Sequence, residues 1–219
     1  MGNEVDLLIN YPRSRRNVKE RGSKKTRHDQ EVARRFGKEF FDGNRKHGYG
    51  GFFYNERFWT PVVPAFRDYY ALDASTRLLD IGCAKGFMLY DFIRLIPGMS
   101  AQGIDVSEYA INNALPDVKN MIQVSDAREL PFANNSYDLV VSINTIHNLD
   151  REGVITALKE IQRVSAKSSF VTVDAYRNAR EKKAMLDWNL TARTILSVDE
   201  WKALFAEAQY TGDYYWFMP

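Results

Sequence analysis

Leu78-Leu79-Asp80-Ile81-Gly82-Cys83-Ala84-Lys85-Gly86-Phe87-Met88 is the stretch on which the fold turns. An apolar run suited to a buried strand reaches an acid, passes through a turn of small residues and enters an apolar helix. Such a turn lets bare backbone meet a ligand. Asp105 closes a second strand-like run, Ala101–Asp105, one element further on. The turn and the distant acid together read as a nucleoside-binding α/β unit.

Outward from that unit, strands and helices alternate. Arg77–Ile81 is the first strand and Gly86–Leu95 the helix behind it. Ala101–Asp105 follows, then a helix capped by Ser107 with Ala110, Ile111 and Ala114 on one face. Met121–Ser125 is the next strand. Asp138–Ile143 is an unbroken apolar run suited to burial on both faces. Asp150–Val164 is helical, with Val154, Leu158, Ile161 and Val164 inward. Ser169–Asp174 is a strand, and Ser197 with Glu200 forms a capping box for a helix carrying Trp201, Leu204 and Phe205. Tyr210–Met218 closes the chain as a strand. The alternation predicts an α/β fold: a Rossmann-like, doubly wound, mostly parallel sheet with helices on both faces. Asp80, Asp105, Asp126, Asn144 and Asp174 all fall at carboxyl ends of strands, where such sheets bind ligands.

Before the sheet, 1–28 reads as a basic, flexible arm and 29–70 as a helical, aromatic lid, leaving 71–219 as the ligand-binding domain. Val32, Phe36 and Phe40 recur every four positions, giving a short helix from Asp29. Pro61–Tyr70 is a second helix with Pro61 in its first turn. Residues 1–50 hold 13 Lys/Arg against 7 Asp/Glu, although the whole chain of 219 residues is only +2. A basic arm on a mildly acidic body suits phosphate, RNA or an anionic surface, and equally a solvated tail.

Composition narrows the classes. With 45% hydrophobic residues the chain can bury a core. No apolar run reaches the roughly 20 residues of a membrane span, and no apolar signal core begins the chain. The one cysteine, Cys83, rules out an intrachain disulfide and a multi-cysteine metal site, so a cytoplasmic location is expected. His28, His47 and His147 lack ligand spacing, and no metal is expected. A dinucleotide fingerprint is absent: the turn runs G-x-A-x-G, not G-x-G-x-x-G, and no phosphate-loop motif is present.

The run Leu78–Gly86 resembles motif I of class I S-adenosylmethionine-dependent methyltransferases. Gly103–Ser107 resembles the motif whose acid grips the ribose hydroxyls, and Ser125–Phe132 the segment whose acid faces the adenine amino group. Asn135–Val140 resembles the fourth strand of the small-molecule, type 11-like branch. The resemblance covers 77–175 and implies S-adenosylmethionine as cofactor and S-adenosylhomocysteine as product. It implies cofactor contacts from Asp80, Gly82, Cys83, Ala84, Gly86, Asp105, Val106, Asp126, Ala127 and Asn144. Two departures stand out: Ala84 replaces the middle glycine, and one closing strand is visible where the family's sheet usually ends in a hairpin.

Methyl transfer from a sulfonium is an in-line displacement that needs alignment and, for a hydroxyl or amine acceptor, a base. His147 and Asp174, just after the fourth and fifth strands, are the catalytic candidates. Their alternatives are a hydrogen-bonded histidine at a helix start and a carboxylate that caps or pairs with Arg177. Tyr49, Tyr54, Arg57, Tyr176 and Arg177 are candidates to line a substrate pocket, with the glycines near Tyr49 allowing lid closure. The expected acceptor is a small polar metabolite methylated on oxygen or nitrogen, with a saccharide or nucleotide-linked sugar in view. The competing readings are an RNA or protein methyltransferase gripping through the arm, and a cofactor-binding scaffold without catalysis, which Ala84 keeps open. Nucleic acid is not the first expectation, and the aromatic last strand offers an edge for a homodimer.

Overall fold

A computed structural model describes residues 2–13 and 16–219. In chain order, α1 (Val18–Lys24), α2 (Arg27–Ala33), α3 (Lys38–Phe41), α4 (Glu56–Trp59) and α5 (Val63–Tyr70) precede the sheet. Then come β1 (Arg77–Ile81), α6 (Phe87–Leu95), β2 (Ser100–Asp105), α7 (Glu108–Asn112), β3 (Ile122–Val124) and β4 (Tyr137–Ile143). The chain finishes with α8 (Arg151–Val164), β5 (Ser165–Tyr176), α9 (Ala179–Trp188), β6 (Leu196–Ser197), α10 (Val198–Glu207) and β7 (Asp213–Phe217).

The strands form one seven-stranded sheet in the order β3-β2-β1-β4-β5-β6, with β7 also alongside β5. The chain winds outward from β1 in both directions, so a crevice opens between β1 and β4 at their carboxyl ends. Alternation along each strand fills two cores. Leu79, Val140 and Val171 face α8 and α10, against Leu158, Ile161, Trp201 and Phe205. Leu78, Val141 and Phe170 face α5 and α6, against Phe66, Leu89 and Phe92. The long apolar run of β4 is thus buried on both faces, which its sequence requires.

The closing strand differs from the hairpin usual in the family. Phe170–Asp174 pairs with Asp213–Phe217 in parallel register. The reason is α10: starting from the Ser197–Glu200 capping box, it carries the chain back across the sheet, so β7 enters from the same end as β5. The far edge of β7, expected as a dimer edge, is taken by the chain's own start. Tyr214 donates its N–H to Asn3 O and accepts from Val5 N–H, both at 3.0 Å.

The described residues among the first 28 are not the free arm that composition suggests, while positions 1, 14 and 15 lie outside the described residues. Helix α1 packs along α9. Lys25 Nζ donates to the carbonyls of Leu186 at 2.5 Å and Asn189 at 2.7 Å, closing the end of α9. The Arg21 guanidinium lies 4.6 Å from the Trp188 ring centroid and donates to Gly48 O at 2.9 Å. The Arg16 guanidinium stacks on Phe217 at 4.8 Å. Charge counting could not foresee this, because the partners are carbonyls and ring faces rather than carboxylates. The helix expected from Asp29 is broken. Phe36 adopts φ +48° and Gly37 caps a separate α3. Among the described residues no helix is long and apolar enough to cross a membrane.

Candidate active site

A cavity of about 390 Å³ opens at the switch point, a size ordinary for a small-molecule site. Its floor is the β1 turn (Gly82, Ala84), the end of β2 (Asp105, Val106), the loop after β3 (Ser125, Asp126, Ala127, Arg128) and the segment after β4 (Asn144, Thr145, Asn148). Phe36, Phe40 and Phe41 from the N-terminal helical region, the segment expected as a lid, also line it.

Each floor residue has a local cause. The β1 turn is locked to β2 because the N–H groups of Gly82 and Cys83 both donate to Ile104 O, at 2.8 and 2.9 Å. Gly82 has φ +85°, and a Cβ there would sit 2.1 Å from Thr145 Oγ1. Gly86 has φ +78°, and its Cβ would meet Val118 at 2.5 Å. Both glycines are therefore demanded by protein packing, before any ligand is considered. Ala84 accepts φ +51°, a left-handed conformation that costs a non-glycine residue on the order of 1 kcal/mol. Its N–H, so turned, donates to Asp105 Oδ2 at 2.9 Å, while Ser107 N–H donates to Oδ1 at 2.8 Å. Burial pushes the Asp105 carboxyl up against these backbone donors.

Several buried groups lack a protein partner. Among the described residues no donor reaches the Asp80 carboxylate, and burial, then the charge of Asp105, push it up to about 8. Asn148 Oδ1 is buried without a hydrogen-bond partner beside the cavity. Asp80 lies under the turn and does not border the cavity, whereas the Asn148 oxygen does, and a bare amide acceptor there fits a ligand that carries N–H or O–H donors, such as S-adenosylmethionine. Asp126 is different. Arg128 holds both its oxygens, at 3.0 and 2.6 Å, and keeps the carboxyl below its ordinary range. Asn144 is also occupied: with φ +52°, its side-chain oxygen accepts from Thr172 Oγ1 at 3.0 Å. Cys83 and Gly86 lie beneath the turn rather than on the cavity wall, and burial pushes the Cys83 thiol up.

His147 and Asp174 form a pair behind the wall. Asp174 N–H donates to His147 Nδ1 at 3.0 Å. A backbone N–H can only donate, so the neutral ring carries its own proton on Nε2. Burial holds the imidazole down to about 3 and pushes the Asp174 carboxyl up to about 7. The ring is thus a neutral donor, and the carboxylate is the group able to gain a proton near neutral pH. Asp174 also influences Tyr49, whose phenol is pushed up by burial and then by that carboxylate. The Tyr49 oxygen accepts from Leu190 N–H at 2.7 Å.

The other expected pocket residues are placed elsewhere. Tyr54 donates to Asp91 on α6 at 2.7 Å. Arg57 lies over the Phe58 ring at 4.7 Å. Tyr176 donates to Glu200 at 3.3 Å, and Arg177 faces Glu181. None of the four borders the cavity, and neither do Tyr49, Asp80, His147 or Asp174. The wall uses residues that motif reading passed over: Arg34, Phe36, Phe40 and Phe41 from the lid, and Arg193 from the loop after α9. The spacing of Phe36 and Phe40 hinted at a buried face, but nothing local said which surface it would cover.

The N-terminal helical region is fastened to the β1 turn and to α7. Lys85, within the β1 turn, donates to Asp42 Oδ1 at 2.5 Å and to Phe52 O at 3.0 Å. Tyr109 of α7 donates to Asp42 Oδ2 at 2.7 Å. Burial alone would raise the Asp42 carboxyl, but Lys85 and Tyr109 outweigh it and hold it below its ordinary range. The Ser107 hydroxyl, which caps α7, donates to Phe36 O.

Comparison with known proteins bears on this geometry. A family model described as a methyltransferase domain matches residues 78–168. A tRNA (carboxymethyluridine(34)-5-O)-methyltransferase of Arabidopsis thaliana is 29% identical over 143 residues, 64% of this chain and 33% of that protein. A demethylmenaquinone methyltransferase of Roseiflexus is 29% identical over 113 residues, 50% of this chain and 46% of that protein. This chain therefore spans less than half the length of either relative. The crystal structure of the YcgJ protein from Bacillus subtilis shares the fold, with a TM-score of 0.54 at 20% identity over 67% of each chain. The strand order and the matched segment agree: residues 78–168 match a methyltransferase domain and lie in the Rossmann-like sheet on which S-adenosylmethionine-dependent methyltransferases are built.

Proposed function

We propose that this protein transfers the methyl group of S-adenosylmethionine to an oxygen or nitrogen of a small polar metabolite. The observation that carries the proposal is the cavity itself. It runs along the β1 turn and Asp105 and is roofed by three phenylalanines, leaving room for a small acceptor rather than a polymer groove.

When bound, the cofactor supplies an electrophilic methyl on a sulfonium, and an acceptor lone pair displaces it in line. The chain's residues do the rest. Asp105 presents two oxygens to vicinal ribose hydroxyls. Asn148 offers an acceptor to the ammonium or amino groups, and the Ala127 amide faces the adenine edge beside Asp126, which Arg128 holds. The lid excludes water, which strengthens each of these contacts. Asp174 lies behind the wall and does not border the cavity, so the acceptor's proton reaches it through an intervening water rather than by direct contact. Its carboxyl is poised near 7, where a base is both available and willing to accept. His147 positions it, holding the Asp174 backbone through Nδ1. A saccharide or nucleotide-linked sugar suits a cavity mixing aromatic and polar walls.

The tRNA-methylating relative points to RNA as a second acceptor class. Against it, Arg16, Arg21 and Lys25, the cations expected to grip phosphates, are bound to rings and carbonyls of this same chain. The test is to incubate the full chain with methyl-labelled cofactor and a cell extract split into metabolite, RNA and protein fractions. Label in the metabolite fraction is expected. Label confined to RNA or protein refutes the small-molecule reading, and label nowhere refutes transfer.

A further inference from the structure

Two arginines on the cavity wall have no counter-charge among the described residues. Arg34 comes from the end of α2, and its Nε and Nη2 donate to the carbonyls of Thr191 at 3.2 Å and Ala192 at 3.3 Å. Arg193 is the next residue along that loop, tied through its backbone N–H to His147 O at 3.0 Å. The lid arginine therefore grips the peptide that presents the loop arginine, and both border the cavity. Among the described residues neither guanidinium lies within 4.0 Å of a carboxylate, and the Arg193 side chain makes no hydrogen bond. The third arginine on the wall contrasts with them, because Arg128 is neutralised by Asp126 at 2.6 Å.

We propose that Arg34 and Arg193 form a clamp for an anionic group, a carboxylate or phosphate, carried by the methyl acceptor. The inference rests on the methyl-transfer reading above and adds the substrate class. Arg34 keeps its Nη1 edge free beyond the two carbonyls, Arg193 is exposed and keeps its whole fork, and an anion in the cavity gains charge-assisted hydrogen bonds from both. The acidic groups that border the cavity pair with neither guanidinium and have other partners. Asp105 is engaged by two backbone N–H groups, and Asp150 caps α8 by accepting from Gly153 N–H at 2.9 Å.

Position assigns the anion to the acceptor rather than to the cofactor. The floor residues from Gly82 to Asn148 lie inside the matched segment 78–168, whereas Arg34 and Arg193 lie outside it. Elements shared across the family hold what the family shares, and the lid and the loop after α9 are free to suit one acceptor. Phe36, Phe40 and Phe41 on the same wall add apolar surface. The acceptor class is an anion with a flat or apolar body.

The test uses inorganic phosphate as probe and calorimetry on the full chain, free and saturated with S-adenosylhomocysteine. Wild type is compared with Arg193→Gln, Arg34→Gln and the charge-keeping Arg34→Lys. Phosphate is expected to bind the loaded wild type. Loss of either guanidinium should weaken it roughly tenfold or more, the order for a charge-assisted hydrogen bond, and Arg34→Lys should restore part of the loss. S-adenosylhomocysteine affinity should stay within about threefold of wild type. Arg193→Gln removes a side chain without hydrogen bonds, so it leaves folding intact and serves as the deciding variant if Arg34→Gln does not fold. Equal phosphate binding by wild type and Arg193→Gln, or none by wild type, overturns the clamp. A tenfold loss of S-adenosylhomocysteine affinity in Arg193→Gln also overturns it, assigning the guanidinium to the cofactor's own carboxylate. Phosphate binding that needs both arginines, with no S-adenosylhomocysteine binding by wild type, keeps the anion site and sinks the cofactor reading instead.

Discussion

Replacing Asp42 by asparagine tests whether the lid is fastened electrostatically to the cofactor loop. The substitution keeps size and one acceptor oxygen but strands the Lys85 ammonium, whose side chain is only 7% exposed, with Phe52 O as its remaining partner. Two unit charges about 4 Å apart attract by roughly 4 kcal/mol at an effective dielectric near 20. The Asp42 side chain is 23% exposed, and screening on that side brings the expected loss to about 2 kcal/mol. With a urea slope of about 2 kcal/mol per molar, the unfolding midpoint should fall by roughly 1 M at unchanged slope. Pairing the change with Lys85→Met isolates the interaction. The double variant should recover at least about 1 kcal/mol relative to the sum of the single losses, since it no longer buries a lone ammonium. Fully additive losses, or an Asp42→Asn midpoint within experimental error of wild type, would show that the lid is held by its aromatic contacts alone.

Three further outcomes are expected. Asp105→Asn should weaken S-adenosylhomocysteine binding by roughly ten- to a hundredfold, because the ribose loses a charged acceptor; a dissociation constant matching wild type by calorimetry would falsify the cofactor placement. Phe66→Ala should cost about 3–5 kcal/mol in urea unfolding, since this buried ring packs edge-on to Phe92 at 5.7 Å and Phe170 at 5.2 Å; a loss below about 1 kcal/mol would contradict that packing. Asp174 binds its proton more tightly folded, with a value of about 7, than unfolded, near 3.9. Its contribution to stability is therefore complete below about pH 4 and lost as pH rises through 7. Between pH 5 and 8 the melting temperature of wild type should fall relative to that of Asp174→Asn, and parallel curves would argue that the carboxyl is not buried as described. The opposing slope from His147, held down to about 3, is common to both proteins and cancels in that difference.

Much of the core architecture follows from short-range chemistry. The run from Leu78 to Gly86 specifies strand, turn and helix because apolar alternation, a strand-end acid and small residues each act locally. Asp105 could be matched to that turn because motif order fixes its partner, and the structure joins them through the Ala84 N–H. The Ser197–Glu200 capping box was equally visible, since its bonds close within four residues.

The acceptor side of the cavity was not legible, for a physical reason. Arg34, Phe40 and Arg193 become wall residues only when two segments about 160 positions apart are folded together, and no local pattern encodes that meeting. Tyr54 and Arg57 looked equally suited to a pocket, yet Tyr54 donates to Asp91 and Arg57 stacks on Phe58. The basic start of the chain had the composition of a free arm, and only the tertiary fold supplied the carbonyls of α9 and the Trp188 ring that hold it. Sequence alone determined the mostly parallel sheet and the small-residue turn after β1, because these follow from periodicity and neighbouring bonds. Which charges face the acceptor, and which are spent inside the protein, was decided by long-range packing, because a side chain's partner depends on what the fold brings within a few ångströms of it.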